Sequence, residues 1–350
     1  MRAAVLREYG EPLDITEVER PTAAEHGVVV DVATCGICRS DWHGWRGDYE
    51  GMDLIGQVMG HEPAGVVVET GAEVEYLCEG DEVVVPFRIA DGTCSRCRNG
   101  HTHVCESGPS LGFNESVPGA FGEEIHAPWA DVNLSLLPED VSMVEMAGLG
   151  CRFVTSFHAL AHRADVSAGD WVAVHGCGGV GLSAIDVATA IGGNVVAVDL
   201  DDETLDTARR FGAVETVNAR ETADVPKAIH DITDGGADVS VDALGIAETC
   251  QNSVASLAHF GQHVQIGLTT QEEGGYVSLP TDEMVRKELE FIGAYGMQPT
   301  RYDEIFRMVE QDRIHPGALV SREVSLDDLN DRLEAMTNFE TQGIEVITEY

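Results

Sequence analysis

The stretch from Trp171 to Asp202, WVAVHGCGGVGLSAIDVATAIGGNVVAVDLDD, constrains the fold more than any other part of the chain. A β-branched run leads into glycines at 176, 178 and 181, an apolar segment of helical length follows, and a second β-branched run ends on acidic residues. Strands that are apolar on both faces belong in a parallel sheet covered by helices on each side. In the G-x-G-x-x-G spacing, Gly176 permits a tight turn, Gly178 lets the backbone approach a pyrophosphate, and Gly181 lets the helix pack closely on the strand. The helix opening at Gly179 and Val180 would present free N–H groups and its positive dipole end to phosphates. Asp199 stands 18 residues beyond Gly181, where a carboxylate would bond the 2′-hydroxyl of an adenosine ribose. Gly176, Gly178, Gly179, Val180, Gly181 and Asp199 thus form a candidate dinucleotide site. Asp199, Asp201 and Asp202 would repel a 2′-phosphate, which favours NAD; NADP stays open because Arg209 or Arg210 could reach that group.

The same alternation continues through ETVNA, ADVSVDAL and QHVQIGL, with amphipathic stretches such as Glu203–Phe211 between the runs. This pattern predicts right-handed βαβ units and an α/β, doubly wound parallel-sheet domain over about residues 153–292. Residues 1–152 read differently. Short alternations at Gly27–Val32, Gly65–Val68 and Glu82–Val85, separated by Gly, Pro and Asp, predict a β-rich domain. Segment 142–164 reads as helix, and so do Tyr302–Gln311 and Leu326–Thr337, before a last strand at Ile344–Thr348. A chain of 350 residues fits two domains.

The charge balance restricts what the chain can bind. With 61 acidic and 21 basic residues the formal net charge is −40, so nucleic acid and anionic membrane surfaces would repel it. The acids are spread along the whole chain and resemble the surfaces of proteins from very salty cytoplasm, where ions screen self-repulsion. The N-terminus has Arg7 and Glu8 where a secretory signal would have an apolar core, and no apolar run is long enough to span a bilayer. A cytoplasmic protein is expected, with its nine cysteines used as thiols or metal ligands.

Three separated segments carry sulfur or imidazole in suggestive settings: Cys38 in TCGICRSDWHGW, His61 in GHEPAG, and Cys151 in GLGCRF. Together with the nucleotide segment they resemble the zinc-dependent medium-chain alcohol dehydrogenase family over essentially the whole chain. The resemblance implies a GroES-like, β-rich catalytic domain (residues 1–152 and 293–350) beside a Rossmann domain (153–292). It also implies a catalytic zinc held by Cys38, His61 and Cys151. Two thiolates and an imidazole leave Zn²⁺ one open position, where a bound alcohol is acidified much as zinc lowers the pKa of bound water to about 7. Glu62 resembles the family's exchangeable ligand, with a supporting carboxylate as its other reading. Ser40 and His43 match the proton relay, Asp41 the carboxylate that orients the imidazole ligand, and Arg39 the residue that contacts the pyrophosphate. Cys35 is the rival to Cys38, but only Cys38 puts Ser40 and His43 in register with the relay.

The segment DGTCSRCRNGHTHVC, within a lobe at about residues 88–110, resembles the family's structural-zinc loop, C-x2-C-x2-C-x7-C. Cys94, Cys97 and Cys105 fall in register, and the first position holds Asp91. Aspartate can ligate zinc, so Asp91, Cys94, Cys97 and Cys105 are the candidate second site, with His101 or His103 as substitutes for Asp91. The expected reaction is reversible oxidation of a small-molecule primary or secondary alcohol to an aldehyde or ketone. A polyol or sugar dehydrogenase on the same scaffold is the alternative, and a non-catalytic nucleotide sensor the more distant one. Trp42, Trp45 and Trp129 lean the reading toward apolar alcohols. Microbial relatives suggest a homo-oligomer, a tetramer or a dimer.

Overall fold

A computed structural model describes residues 1–350 apart from Glu50, Asp140, Gln271 and Phe339. The chain forms two compact units, Met1–Arg152 with Gly296–Tyr350, and Phe153–Tyr295. Among the described residues no helix is long and apolar enough to cross a membrane.

The first unit is built on a mixed seven-stranded sheet. Its backbone order is Val320–Ser325, Ile344–Glu349, Val28–Ile37, Glu62–Thr70, Glu82–Val84 and Ser135–Leu136, and Glu124–Ala127 also pairs with Val28–Ile37. The central strand Val28–Ile37 is longer than its sequence alternation predicts, since its second half, Ala33–Ile37, does not alternate and is almost wholly buried. It pairs antiparallel with Glu62–Thr70 in a register that sets Gly36 opposite Glu62. That pairing brings the end of one strand, where Cys38 begins the next helix, beside the start of the other, where His61 stands. The core beneath the sheet includes Leu6, Ile37, Leu54, Met59, Leu111 and Phe121, all essentially sealed from solvent. At roughly 25 cal/mol per Å² of buried apolar surface, a core of this kind is the main source of the unit's stability.

Segment 142–164 is helical but interrupted. Ser142 caps Met143–Gly148, its hydroxyl accepting from the Glu145 N–H while Glu145 reaches back to the Ser142 N–H, a reciprocal cap. Gly150 then takes a non-helical backbone (φ −3°, ψ −132°) in the wide turn Leu149–Phe153. The break re-aims Cys151 and Arg152. The Thr34 hydroxyl donates to the Met143 carbonyl at 2.9 Å, tying this segment to the central strand.

The second unit is a six-stranded parallel sheet ordered Ala213–Asn218, Asn194–Asp199, Trp171–His175, Ala237–Asp242, Leu257–Gln265 and Glu290–Gly293. The order runs outward in both directions from Trp171–His175, the doubly wound arrangement. Val172, Val174, Val195, Val196, Val239 and Val241 are buried, as a sheet covered on both faces requires. Helices Gly179–Ile191, Asp202–Arg210, Val225–Thr233 and Ala247–Ala255 connect the strands.

Candidate active site and metal centres

In the first unit, Cys38, His61, Glu62 and Cys151 converge, each offering one ligand atom within 4.8 Å of the others. Cys38 is the N-cap of the helix Arg39–Arg46 and His61 immediately precedes the strand Glu62–Thr70. Cys151 arrives from the broken helical segment. Asp41, in the first turn of Arg39–Arg46, is fully buried and serves two of them: Oδ1 accepts from His61 Nδ1 at 2.8 Å and Oδ2 from the Cys38 N–H at 3.0 Å. With Nδ1 committed to the Asp41 carboxylate, Nε2 is the ring nitrogen left for a metal; burial lowers the imidazole pKa, but Asp41 and then Cys38 outweigh it and hold it well above its ordinary value. That Nε2 is buried and has no hydrogen-bond partner of normal geometry among the described residues. A buried ring nitrogen left without a partner is costly unless something occupies the place it faces. Two sulfurs and this nitrogen suit zinc. The Cys38 thiol is held well below its ordinary range, first by its hydrogen bond with Cys151, and the same bond holds the Cys151 thiol well above its own, so the pair keeps one proton between them that a bound cation would have to displace.

Glu62 lies within the cluster but is engaged elsewhere. Its Oε1 accepts from the Cys151 N–H at 2.9 Å, the Arg152 N–H at 3.3 Å and Arg152 Nε at 3.2 Å, and Oε2 accepts from Arg152 Nη2 at 2.5 Å. Burial raises the Glu62 carboxyl, and Arg152 opposes that shift. Nothing in the sequence reading singled out Arg152. The signal was present: a lone cation in the apolar run LGCRFV must find a buried partner.

Ser40 and His43 share the helix Arg39–Arg46. Ser40 is half-buried and its carbonyl accepts from the Tyr49 hydroxyl at 3.3 Å. His43 Nδ1 donates to Asp48 Oδ2 at 2.7 Å, and its side chain is 25% exposed. Asp48, missed from sequence, thereby fixes the His43 tautomer. The Arg39 guanidinium lies 3.8 Å from the Trp42 ring centroid and donates to the Met336 carbonyl at 2.6 Å. Aromatic rings crowd the metal side: Phe113 and Phe87 stand edge-on to His61 at 5.2 and 6.1 Å, and Tyr49 packs on Phe113 at 5.7 Å.

A second cluster is formed by Cys94, Cys97 and Cys105. Cys94 Sγ lies 3.5 Å from Cys97 Sγ and 3.9 Å from Cys105 Sγ. Sulfurs bound to one tetrahedral zinc stand roughly 3.8 Å apart, from Zn–S bonds of about 2.3 Å. Asp91 touches the cluster through Cys105, with Oδ1 3.5 Å from its Sγ. Its carboxylate also accepts from the Thr93 N–H at 2.8 Å, an anchorage that holds it there. His101 is exposed and His103 buried, their rings 6.1 Å apart. Backbone N–H groups of Glu106 and Cys97 bring the Cys94 thiol down to about 7.

In the second unit the glycine loop joins the strand Trp171–His175 to the helix Gly179–Ile191, whose N-cap Gly178 offers no side-chain cap. Gly176 adopts φ +88°. A Cβ added at Gly178 would meet open space, whereas one at Gly181 would collide with the Gly176 carbonyl. The loop is therefore bare where a phosphate would sit and tight where the helix meets the strand. Asp199 ends the strand Asn194–Asp199; Oδ2 accepts from the Cys177 N–H at 2.8 Å and Oδ1 from the Leu200 N–H at 2.7 Å. A carboxylate has about four acceptor sites, so capacity remains for a ribose hydroxyl. Arg209 is bonded to Asp206 and Thr216, and Arg210 to Thr207.

Residues 24–139 match the family described as alcohol dehydrogenase GroES-like domain, and residues 179–311 match zinc-binding dehydrogenase. The chain is 31% identical to an alcohol dehydrogenase of Geobacillus stearothermophilus over 95% of its own length and 96% of the relative's. It is 30% identical to an NAD-dependent alcohol dehydrogenase of Sulfurisphaera tokodaii over 99% of each chain. The solved alcohol dehydrogenase of Thermus sp. ATN1 superposes with a TM-score of 0.90 at 29% identity, covering 100% of both chains. A β-rich GroES-like unit and a parallel-sheet unit with these sites define a zinc-binding oxidoreductase. The chain belongs to the zinc-dependent medium-chain alcohol dehydrogenase family.

Proposed function

We propose that this chain oxidises primary or secondary alcohols reversibly to aldehydes or ketones, with NAD as the hydride acceptor and zinc held by Cys38, His61 and Cys151. The observation that carries the reading is the buried Nε2 of His61, without a hydrogen-bond partner among the described residues and clustered with two cysteine thiols, with Asp41 behind it. Zinc bound there would act as a Lewis acid that makes a coordinated alcohol acidic near neutral pH. NAD would accept the hydride released from the alcohol carbon.

The protein's own residues handle orientation and the proton. Asp41 holds His61 in the tautomer that leaves Nε2 free to ligate. The Ser40 hydroxyl would accept the alcohol proton, and His43, fixed by Asp48 so that Nε2 is its accepting nitrogen, would pass a proton on to water. Gly178, Gly179, Val180 and Gly181 would hold the pyrophosphate, with Gly176 shaping the turn, Asp199 would hold the ribose, and Arg39 would offer a cation to the phosphates. Asp199, Asp201 and Asp202, with Arg209 and Arg210 tied to other partners, support NAD over NADP. Phe113 and Phe87 beside His61, with Tyr49 packed on Phe113, favour apolar alcohols over polyols, which need hydrogen-bonding walls.

Cys94, Cys97 and Cys105, with Asp91 beside Cys105, would hold a second, structural zinc. The outer edge of the parallel sheet supports self-association: Glu290–Gly293 is its last strand, with Phe291 43% and nearby Val285 77% exposed. Edges of this kind are normally covered, and a second copy forming a dimer or tetramer would do so. The acidic surface adapts the chain to concentrated salt in a cytoplasm. The deciding experiment is NAD reduction with a panel of simple alcohols and polyols in molar KCl, with and without a zinc chelator. Turnover abolished by the chelator and restored by zinc supports the reading; no turnover with any alcohol overturns it.

A further inference from the structure

We infer that Arg152 is a positioning residue that holds the Glu62 carboxylate off the metal, keeping the fourth coordination position open to the alcohol. The inference rests on the reading of Cys38, His61 and Cys151 as a metal centre. Glu62 is close enough to ligate, one of its oxygens lying within 4.8 Å of the other three ligand atoms. Yet four donors already claim it: the N–H groups of Cys151 and Arg152, and Nε and Nη2 of the Arg152 guanidinium. Both side chains are sealed, at 1% and 7% exposure, so water cannot substitute for either partner.

The backbone is shaped around this pair. A Cβ on Gly36 would strike Glu62 Oε2, and one on Gly150 would fall on the Glu62 side chain. The non-helical turn at Gly150 points two successive N–H groups at the same carboxylate oxygen. Donor hydrogen bonds from a charged guanidinium in two places fix both position and orientation. Removing Arg152 would leave a buried carboxylate with no counter-charge beside a divalent cation, and the cation is then its best partner. Arg152 also stands near the Cys38 and Cys151 thiols, so its charge offsets part of theirs when both are ionised.

Cobalt(II) exchanged into the full-length protein reads the ligand set directly from its d–d absorption. Difference spectra between variants cancel the constant contribution of the cysteine lobe. The expected results are that Glu62→Gln leaves the cobalt spectrum and its shift on adding imidazole as in the unaltered protein. Arg152→Met should shift the spectrum, weaken imidazole binding by roughly 10–100-fold, and raise the KM for alcohol more than it changes kcat. The double variant Glu62→Gln/Arg152→Met should regain the original spectrum. A shifted spectrum in Glu62→Gln alone, or an unshifted one in Arg152→Met, overturns the inference. Should Arg152→Met not fold, the Glu62→Gln spectrum decides by itself. Failure of the underlying reading looks different: Cys38→Ser would then leave the amount of bound cobalt unchanged.

Discussion

Asp41 Oδ1 accepts the Nδ1 hydrogen of His61 at 2.8 Å, with both side chains out of contact with solvent. The other Asp41 oxygen accepts the Cys38 N–H at 3.0 Å, so one carboxylate orients an imidazole and braces the loop of a thiolate. Asp41→Ala removes both bonds, and Asp41→Asn keeps an oxygen for one of them. Zinc affinity should fall roughly 10–100-fold in Asp41→Ala and less in Asp41→Asn. The rate of zinc release to a chromophoric chelator measures this, and equal rates in all three proteins would remove Asp41 from the site.

The glycines of the nucleotide loop separate binding from folding. Gly178→Ala adds a methyl group to open space, so the variant should melt within about 1 kcal/mol of the parent yet bind NAD more weakly, because the methyl stands where a phosphate would approach. Gly181→Ala forces a collision with the Gly176 carbonyl and should destabilise the parallel-sheet unit itself. Isothermal titration with NAD and thermal melts distinguish them. Undiminished NAD binding by Gly178→Ala would argue against a cofactor at this loop.

His175 couples stability to pH. It is buried at the end of the strand Trp171–His175, its Nε2 lacks a partner among the described residues, and burial followed by the nearby His263 depresses its pKa from 6.5 to about 3. Burial lowers His263 as well. Above pH about 6.5 His175 is neutral whether folded or unfolded and costs nothing. Below that only the unfolded chain takes up the proton, so stability falls by up to about 1.4 kcal/mol per pH unit for this residue until the folded pKa is reached. His175→Leu should flatten the decline between pH 6.5 and 5 in urea melts at fixed salt, and an unaltered slope would refute the assignment.

The cysteine lobe should carry zinc with Asp91 as its fourth ligand. The protein would then hold two zinc ions per chain by elemental analysis, and Asp91→Ala would lose one of them first on chelation. Asp91→Cys should bind the second ion more tightly, since thiolate is the better zinc donor in structural sites. If Asp91→Ala retained both ions as firmly as the parent, His101 or His103 would be the fourth ligand instead.

Much of this was legible in the sequence because its signals are local. The parallel sheet follows from β-branched runs alternating with helices, and Gly176, Gly178 and Gly181 act through their immediate neighbours. Cys38 is preferred to Cys35 only through the family resemblance, whose relay pattern Ser40 and His43 match, and the ligand cluster contains Cys38 and not Cys35. What stayed hidden depends on contacts between distant segments. Glu62 and Arg152 are 90 residues apart and meet through the Gly36–Glu62 strand register and the break at Gly150. Asp48 lies five residues from His43, but only the left-handed turn at Gly47 folds it back to the imidazole. The helical reading of 142–164 missed that break because periodicity sees the apolar stripe and not the dihedral angles of one glycine.

Salt dependence follows from the charge excess of −40. The chain has only two lysines, and each pairs with an acid on its own helix, Lys227 with Asp231 and Lys287 with Glu283. Such surface pairs are worth little, so most of the repulsion among the acids is left to the solvent. At low ionic strength that repulsion acts over roughly 10–30 Å, and at 1 M salt over about 3 Å. The melting temperature should therefore climb steeply from millimolar to molar KCl, and activity should climb with it. Sodium chloride should act nearly as well as potassium chloride at equal ionic strength if screening is the cause, while a strong preference for one cation would point to specific ion binding. A melting temperature highest near zero salt would show that the acidic surface has another origin.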